Sequence, residues 1–114
     1  MRKKLYMVSY ILKNLFKILE KKEDEYIIEL TNKDHEVFKA HFPDNKLLPA
    51  FLQIDIIANI LEHKIKRIQK AKFLSIIKPN DKIKYCIHTN DNNSYKIVIK
   101  GLLNNKISEF TYEI

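Results

Sequence analysis

Glycine is almost missing from this chain: Gly101 is the only one in 114 residues. Loops that cradle phosphate groups need several close glycines, because the backbone must approach the anion and take up unusual dihedrals. Nucleotide chemistry of that kind is therefore excluded. The lone cysteine, Cys86, rules out an internal disulfide and a multi-cysteine metal site. Its neighbours Tyr85 and Ile87 place it in a strand, as a packed thiol rather than a nucleophile. No run reaches the roughly 18–20 apolar residues that a membrane-spanning helix requires. Met1-Arg2-Lys3-Lys4-Leu5-Tyr6-Met7-Val8 starts basic like a secretory leader, but Lys13, Asn14 and Lys17 interrupt the apolar stretch and no small-residue cleavage site follows. The expectation is a cytoplasmic protein of one domain spanning residues 1–114.

What the chain has in excess is positive charge. Lysine and arginine number 21 against 14 aspartates and glutamates, a formal charge of +7. Such an excess suits an acidic partner. Yet Lys13, Lys17, Lys64, Lys66, Arg67, Lys70 and Lys72 are scattered, and neither zinc-finger spacing, a helix-turn-helix signature nor an RNA-binding aromatic motif accompanies them. Nucleic acid is not the expected partner.

Periodicity organises the rest. Residues 5–20 mix apolar and basic positions, as a strand or as a short helix leading into a strand at 15–20, and Lys21-Lys22-Glu23-Asp24 reads as a turn. Glu25–Thr31 alternates with Tyr26, Ile28 and Leu30 on one face. Residues 32–49 are expected to be irregular, and a loop that long in a small domain is usually functional. An apolar helix follows from about Pro49 to Arg67, with proline suited to its first turn. Strands are then expected at Lys70–Ile77, Lys82–Thr89, Tyr95–Leu103 and Lys106–Glu113, with turns at Lys78–Asp81 and Asp91–Ser94. The sum is an α+β fold in which about five antiparallel strands cover one long helix.

The chemistry concentrates in the stretch from His41 to Asp55. Phe51, Leu52, Ile54, Ile56, Ile57, Ala58, Ile60 and Leu61 cover nearly the whole circumference of the helix, so it is expected to be buried. A carboxylate there, Asp55, must be paired, neutralised or used. Desolvation favours its protonated form, while neutral His41 is a base near pH 7, and two titratable groups of opposed roles suit elimination or hydration. Asp55 lies about 7–8 Å into the helix, beyond easy reach of His41 in the preceding loop, so a two-fold dimer that pairs each histidine with its partner's aspartate is expected. Free backbone N–H groups at Ala50, Phe51 and Leu52 favour negative charge and could hold a thioester carbonyl as it becomes an enolate. Asn59, one turn after Asp55, could orient its carboxyl group or belong to an interface. His35 and His63 read as solvent-facing, and His88 sits in a strand without the neighbours a metal requires. The plain alternative is a loop histidine bonded to a carbonyl and an aspartate that only caps a neighbour.

His41-Phe42-Pro43, Pro49, Leu52 and Asp55, with fourteen residues from the histidine to the acid, resemble the signature of the hotdog-fold 3-hydroxyacyl-(acyl-carrier-protein) dehydratases. Asp34-His35-Glu36-Val37-Phe38 is similar to that family's Asn-Glu-Pro-Phe-Phe, and Ala71-Lys72-Phe73 and Lys78-Pro79-Asn80-Asp81 to its later strand and turn. The resemblance spans about residues 15–114. Ala40 and Ala50 stand where the family has glycine, and Lys46 where it has proline.

The resemblance implies a hotdog fold, an antiparallel sheet wrapped around one long helix, with active sites formed across a homodimer interface. It implies His41 as catalytic base and Asp55 as acid, with Phe42, Pro49, Ala50, Phe51 and Asn59 around the substrate. It also implies removal of water from a 3-hydroxyacyl thioester carried on the phosphopantetheine of an acidic acyl carrier protein, with no metal or redox cofactor. Aspartate at position 55, where most members carry glutamate, is similar to the branch that also isomerises the product double bond. Two other readings stay open: a hotdog acyl thioesterase, and a non-catalytic acyl-binding or partner subunit, to which Ala40 and Ala50 point.

Overall fold

Alternating apolar and polar residues set the sheet. A computed structural model describes residues 11–90 and 93–114. Among the described residues six strands form: β1 (Phe16–Lys21), β2 (Glu25–Leu30), β3 (Arg67–Phe73), β4 (Lys82–Asn90), β5 (Ser94–Gly101) and β6 (Lys106–Glu113). Two helices, α1 (Glu36–Ala40) and α2 (Ala50–Leu61), separate β2 from β3. All strand pairs are antiparallel, in the order β1-β2-β4-β5-β6-β3. Tyr26, Ile28 and Leu30 point into the core from β2, and Ile83 and Tyr85 do so from β4, the side-chain period of two that a half-covered sheet demands. The expectation for residues 5–10 and for part of the Asp91–Ser94 turn falls outside the described residues.

The turns have visible chemical causes. At Lys78–Asp81, the Asp81 carboxylate accepts a hydrogen bond from the Lys78 amide (2.8 Å), and Asn80 takes the left-handed conformation (φ 68°) that asparagine tolerates. Between β5 and β6, Asn104 does the same (φ 68°), and the Asn105 side chain packs so closely over Gly101 that any β-carbon there would force it aside.

Helix α2 packs against the sheet through Leu52, Gln53, Ile54, Ile56 and Ile57, all buried. Ile56 and Ile57 are fully covered, which at about 1.5–3 kcal/mol each makes them principal contributors to stability. Two polar bonds fix the helix in register on the strands. The Ser108 hydroxyl on β6 donates to the Gln53 Oε1 (2.8 Å), and the Tyr85 hydroxyl on β4 donates to the Gln53 carbonyl (2.7 Å). Both are buried, where leaving such groups unpaired costs about 1–3 kcal/mol.

Three expectations are corrected. The helix stops at Leu61, well short of Arg67, because Glu62 adopts a left-handed conformation (φ 56°) and the amides of Glu62 and His63 close the last turn on Asn59 and Ala58. The strand expected at Lys70–Ile77 runs instead from Arg67 to Phe73, and among the described residues the sheet has six strands rather than about five, because β1 joins it. Nor is α2 buried all round: Phe51 and Asn59 are exposed and Asp55 is half-buried, because the sheet covers only the opposite face.

Candidate active site

The segment expected to be irregular contains α1, and α1 holds His41. Helix α1 begins at His35, whose Nδ1 accepts a hydrogen bond from the Val37 amide (3.1 Å). The His35 Nε2 donates to the Lys13 carbonyl (2.8 Å), so this histidine is half-buried and doubly bonded, not solvent-facing as expected. Val37 and Phe38 bury themselves in the core and anchor the short helix. His41 follows as its C-cap, and its Nδ1 lies 3.2 Å from the Val37 carbonyl.

A carbonyl oxygen only accepts, so the His41 Nδ1 carries the proton. In the neutral ring the Nε2 is then the lone-pair nitrogen, the form a general base requires. His41 is half-buried, with Phe42 edge-on to its ring (centroids 5.8 Å apart) and exposed beside it. The loop closes on itself through mutual backbone bonds between Phe42 and Asn45 (both 3.2 Å) and a bond from the Leu47 amide to the His41 carbonyl (2.8 Å). The His41–Phe42 peptide is cis. A further bond, from the Leu48 amide to the Ile77 carbonyl (2.7 Å), ties the loop to the segment after β3.

Buried Pro49 is the N-cap of α2, and its carbonyl accepts from Leu52 (3.1 Å) and Gln53 (3.4 Å). Leu52 is thus removed from the three amides expected to be free. Among the described residues no backbone acceptor takes the amides of Ala50 and Phe51, and both residues are exposed. Two adjacent N–H groups at the positive end of a helix remain available to an oxyanion. Neither Ala40 nor Ala50 has positive φ, so the loss of glycine at these positions imposes no backbone strain. What Ala50 adds is a methyl group at the helix start.

Asp55, one turn beyond Phe51, shares the outward face of α2 with Phe51 and Asn59. Its charge reaches the Tyr85 phenol, whose pKa is raised first by burial and then by Asp55. The hydrogen bond of the His41 ring runs to Val37, and among the described ion pairs none joins His41 to Asp55 within the chain.

The remaining candidates divide clearly. Cys86 is half-buried and burial pushes its thiol up, which disfavours the nucleophilic thiolate and agrees with a packed strand residue. His88 is exposed on β4. Contrary to expectation, His63 is half-buried: its Nδ1 is hydrogen-bonded to the Tyr112 hydroxyl (2.7 Å) and Tyr95 lies against its ring (centroids 4.3 Å apart). Around His41, sequence reasoning missed the bonds made by His35 and by the Val37 carbonyl. His35 stands before Glu36 as a cap would, but histidine is not a common cap and its bond to Lys13 spans 22 residues. A cleft of about 380 Å³ between Phe16, Lys17, Glu29, Leu30 and Asn80 includes none of the candidate residues.

A helix lying across one face of an antiparallel six-stranded sheet is shared with a series of solved structures, and it defines the hotdog class. The dehydratase heterocomplex ApeI:P from Xenorhabdus doucetiae is similar at TM-score 0.74 and 17% identity, over 86% of this chain and 96% of that one. The dehydratase domain from the CurK module of curacin polyketide synthase is similar at TM-score 0.55 and 17% identity, over 88% and 42%. Mouse thioesterase superfamily member 2 has a TM-score of 0.58 at 11% identity, over 96% and 87%. Identities this low establish the fold and leave the reaction open. No curated protein matches the sequence. The family is settled separately: the family model for ApeI dehydratase matches residues 18–108, and this chain belongs to that family.

Proposed function

We propose that the protein is a dehydratase that removes water from a 3-hydroxyacyl thioester presented on acyl carrier protein, giving the trans-2-enoyl thioester. The observation that carries this reading is the His41 ring, held by the Val37 carbonyl with Nε2 as its lone-pair nitrogen. Nε2 takes the α-proton, and the electron pair moves onto the thioester carbonyl as an enolate. The amides of Ala50 and Phe51 accept that charge. The pair then returns to form the Cα–Cβ double bond, the β-hydroxyl leaves, and Asp55 of the opposite subunit supplies the proton that makes it water. Phe42, Pro49 and Phe51 flank the acyl chain, and Asn59 lies on the same helix face as Asp55. This chemistry needs no metal or redox cofactor.

A homodimer would complete both halves of this reading. All seven residues of β3 are exposed, and β3 is an edge strand whose outer backbone groups invite a second strand. Ile68, Phe73, Leu74 and Ile76 expose 40–53% of their surface on or just after it. A second copy paired along β3 would cover them and bring another α2 face toward the His41 loop. The excess of lysine suits an acidic carrier protein.

Turnover of a 3-hydroxyacyl carrier-protein thioester by the wild type, His41→Ala and Asp55→Asn tests the assignment; equal activity in all three overturns it. One alternative keeps a specific support. Ala50 adds a methyl group at the helix start, and the Xenorhabdus relative is a heterocomplex. That favours a partner hotdog subunit, which would be inactive alone and would co-purify with a second hotdog chain.

A further inference from the structure

The proposed base does not stand alone in its loop. The Lys13 carbonyl accepts from the His35 Nε2 (2.8 Å), and the His35 Nδ1 accepts from the Val37 amide (3.1 Å). The same Val37 presents its carbonyl to the His41 Nδ1 (3.2 Å). Every group in this series has one consistent assignment. His35 must be the Nε2–H tautomer, because Nε2 faces a carbonyl and Nδ1 faces an amide. His41 must be the Nδ1–H tautomer, because its Nδ1 faces a carbonyl.

From this we infer that His35 is a positioning residue for His41, acting through the Val37 peptide. Helix α1 has only five residues, too few to hold themselves helical without tertiary support. Its support comes from buried Val37 and Phe38 and from the His35 cap. Loss of the cap frees the first turn, and with it the carbonyl that fixes the ring orientation and tautomer of His41. The bond to Lys13 anchors the cap in turn to the segment leading into β1. His35 touches neither the proposed reacting atoms nor His41 itself, so its effect falls on the orientation of the base and not on the binding of substrate.

The inference rests on His41 being the base only where turnover is the readout, so the test has two arms. In the first, imidazole ¹⁵N shifts report the His41 tautomer without any substrate, with signals assigned through single-histidine variants. Wild type gives the Nδ1–H form, His35→Ala a mixture shifted toward Nε2–H, and His35→Asn the wild-type pattern, because an asparagine cap accepts the same amide. In the second, His35→Ala lowers kcat by about tenfold with KM nearly unchanged, and His35→Asn restores most of it. An unchanged His41 tautomer in His35→Ala, or equal impairment of His35→Ala and His35→Asn in a folded protein, overturns the inference. Full activity of His41→Ala instead overturns the dehydratase reading and leaves the tautomer arm to decide the positioning role.

Discussion

Two histidines flank the central helix, and they are held by different partners. His41, ahead of α2, donates from Nδ1 to a backbone carbonyl, and its Nε2 carries the lone pair. His63, just past the end of α2, is hydrogen-bonded at Nδ1 to the Tyr112 hydroxyl and lies tilted against Tyr95. Both are half-buried imidazoles, so burial does not separate them. The difference lies in what Nδ1 is bonded to, a backbone carbonyl or a phenol, and in what surrounds the ring. At the start of the helix the ring lies edge-on to exposed Phe42, and the helix opens with exposed Phe51 and two available amides; at the end the ring is part of an aromatic cluster with a buried tyrosine. One end is built to meet something, and the other to hold the helix down.

That contrast fails if the two ends respond alike to substitution. His41→Ala is expected to lower kcat by about 10²–10⁴-fold while leaving the melting temperature nearly unchanged, and Asp55→Asn to lower kcat similarly. Steady-state turnover and a thermal melt on the same samples check this. A mixture of the two inactive variants sharpens it further. If each site takes His41 from one subunit and Asp55 from the other, random reassociation of equal amounts gives half heterodimers with one intact site each. Activity then recovers to about a quarter of wild type. No recovery after subunit exchange would place both groups of a site in one chain.

At the other end the expected effect moves from rate to stability. Tyr112→Phe removes the hydroxyl bonded to His63 and should lower unfolding free energy by about 1 kcal/mol, read from denaturant midpoints, with kcat of the folded protein unchanged. A large loss of kcat at constant stability would mean that the His63 end takes part in the reaction.

The sequence made one of these ends far more legible than the other. His41, Pro49 and Asp55 lie within fifteen residues, so spacing alone placed them at the start of one helix and its leading loop. The strands were legible too, since Tyr26, Ile28 and Leu30, and later Ile83 and Tyr85, alternate as a half-buried sheet requires. The end of α2 was not, because its terminator is Glu62 rather than glycine, and the apolar pattern continues through Ile65. His63 was misplaced because its partner Tyr112 is 49 residues away, a contact that only the β3–β6 arrangement creates. The outward face of α2 was misjudged for a related reason. Composition shows that the helix is apolar nearly all round, but not that a single sheet leaves Phe51 and Asn59 uncovered.

The smallest expected effect is a pH dependence that belongs to His63. Burial lowers its pKa below the ordinary 6.5, because charging the ring there means giving up water. A base with a depressed folded-state pKa binds fewer protons folded than unfolded. Its contribution is therefore fully present above about pH 6.5 and is lost as pH falls toward the folded value. In His63→Gln that titration is gone, while every other acid-sensitive group is retained. The stability gap between wild type and His63→Gln, measured by denaturant unfolding from pH 7.5 down to 5, should narrow steadily below pH 6.5 and stay flat above it. A gap that widens on acidification would mean that the charged imidazole is the form this end of the helix prefers, and the contrast with His41 would then have to be redrawn around a paired cation.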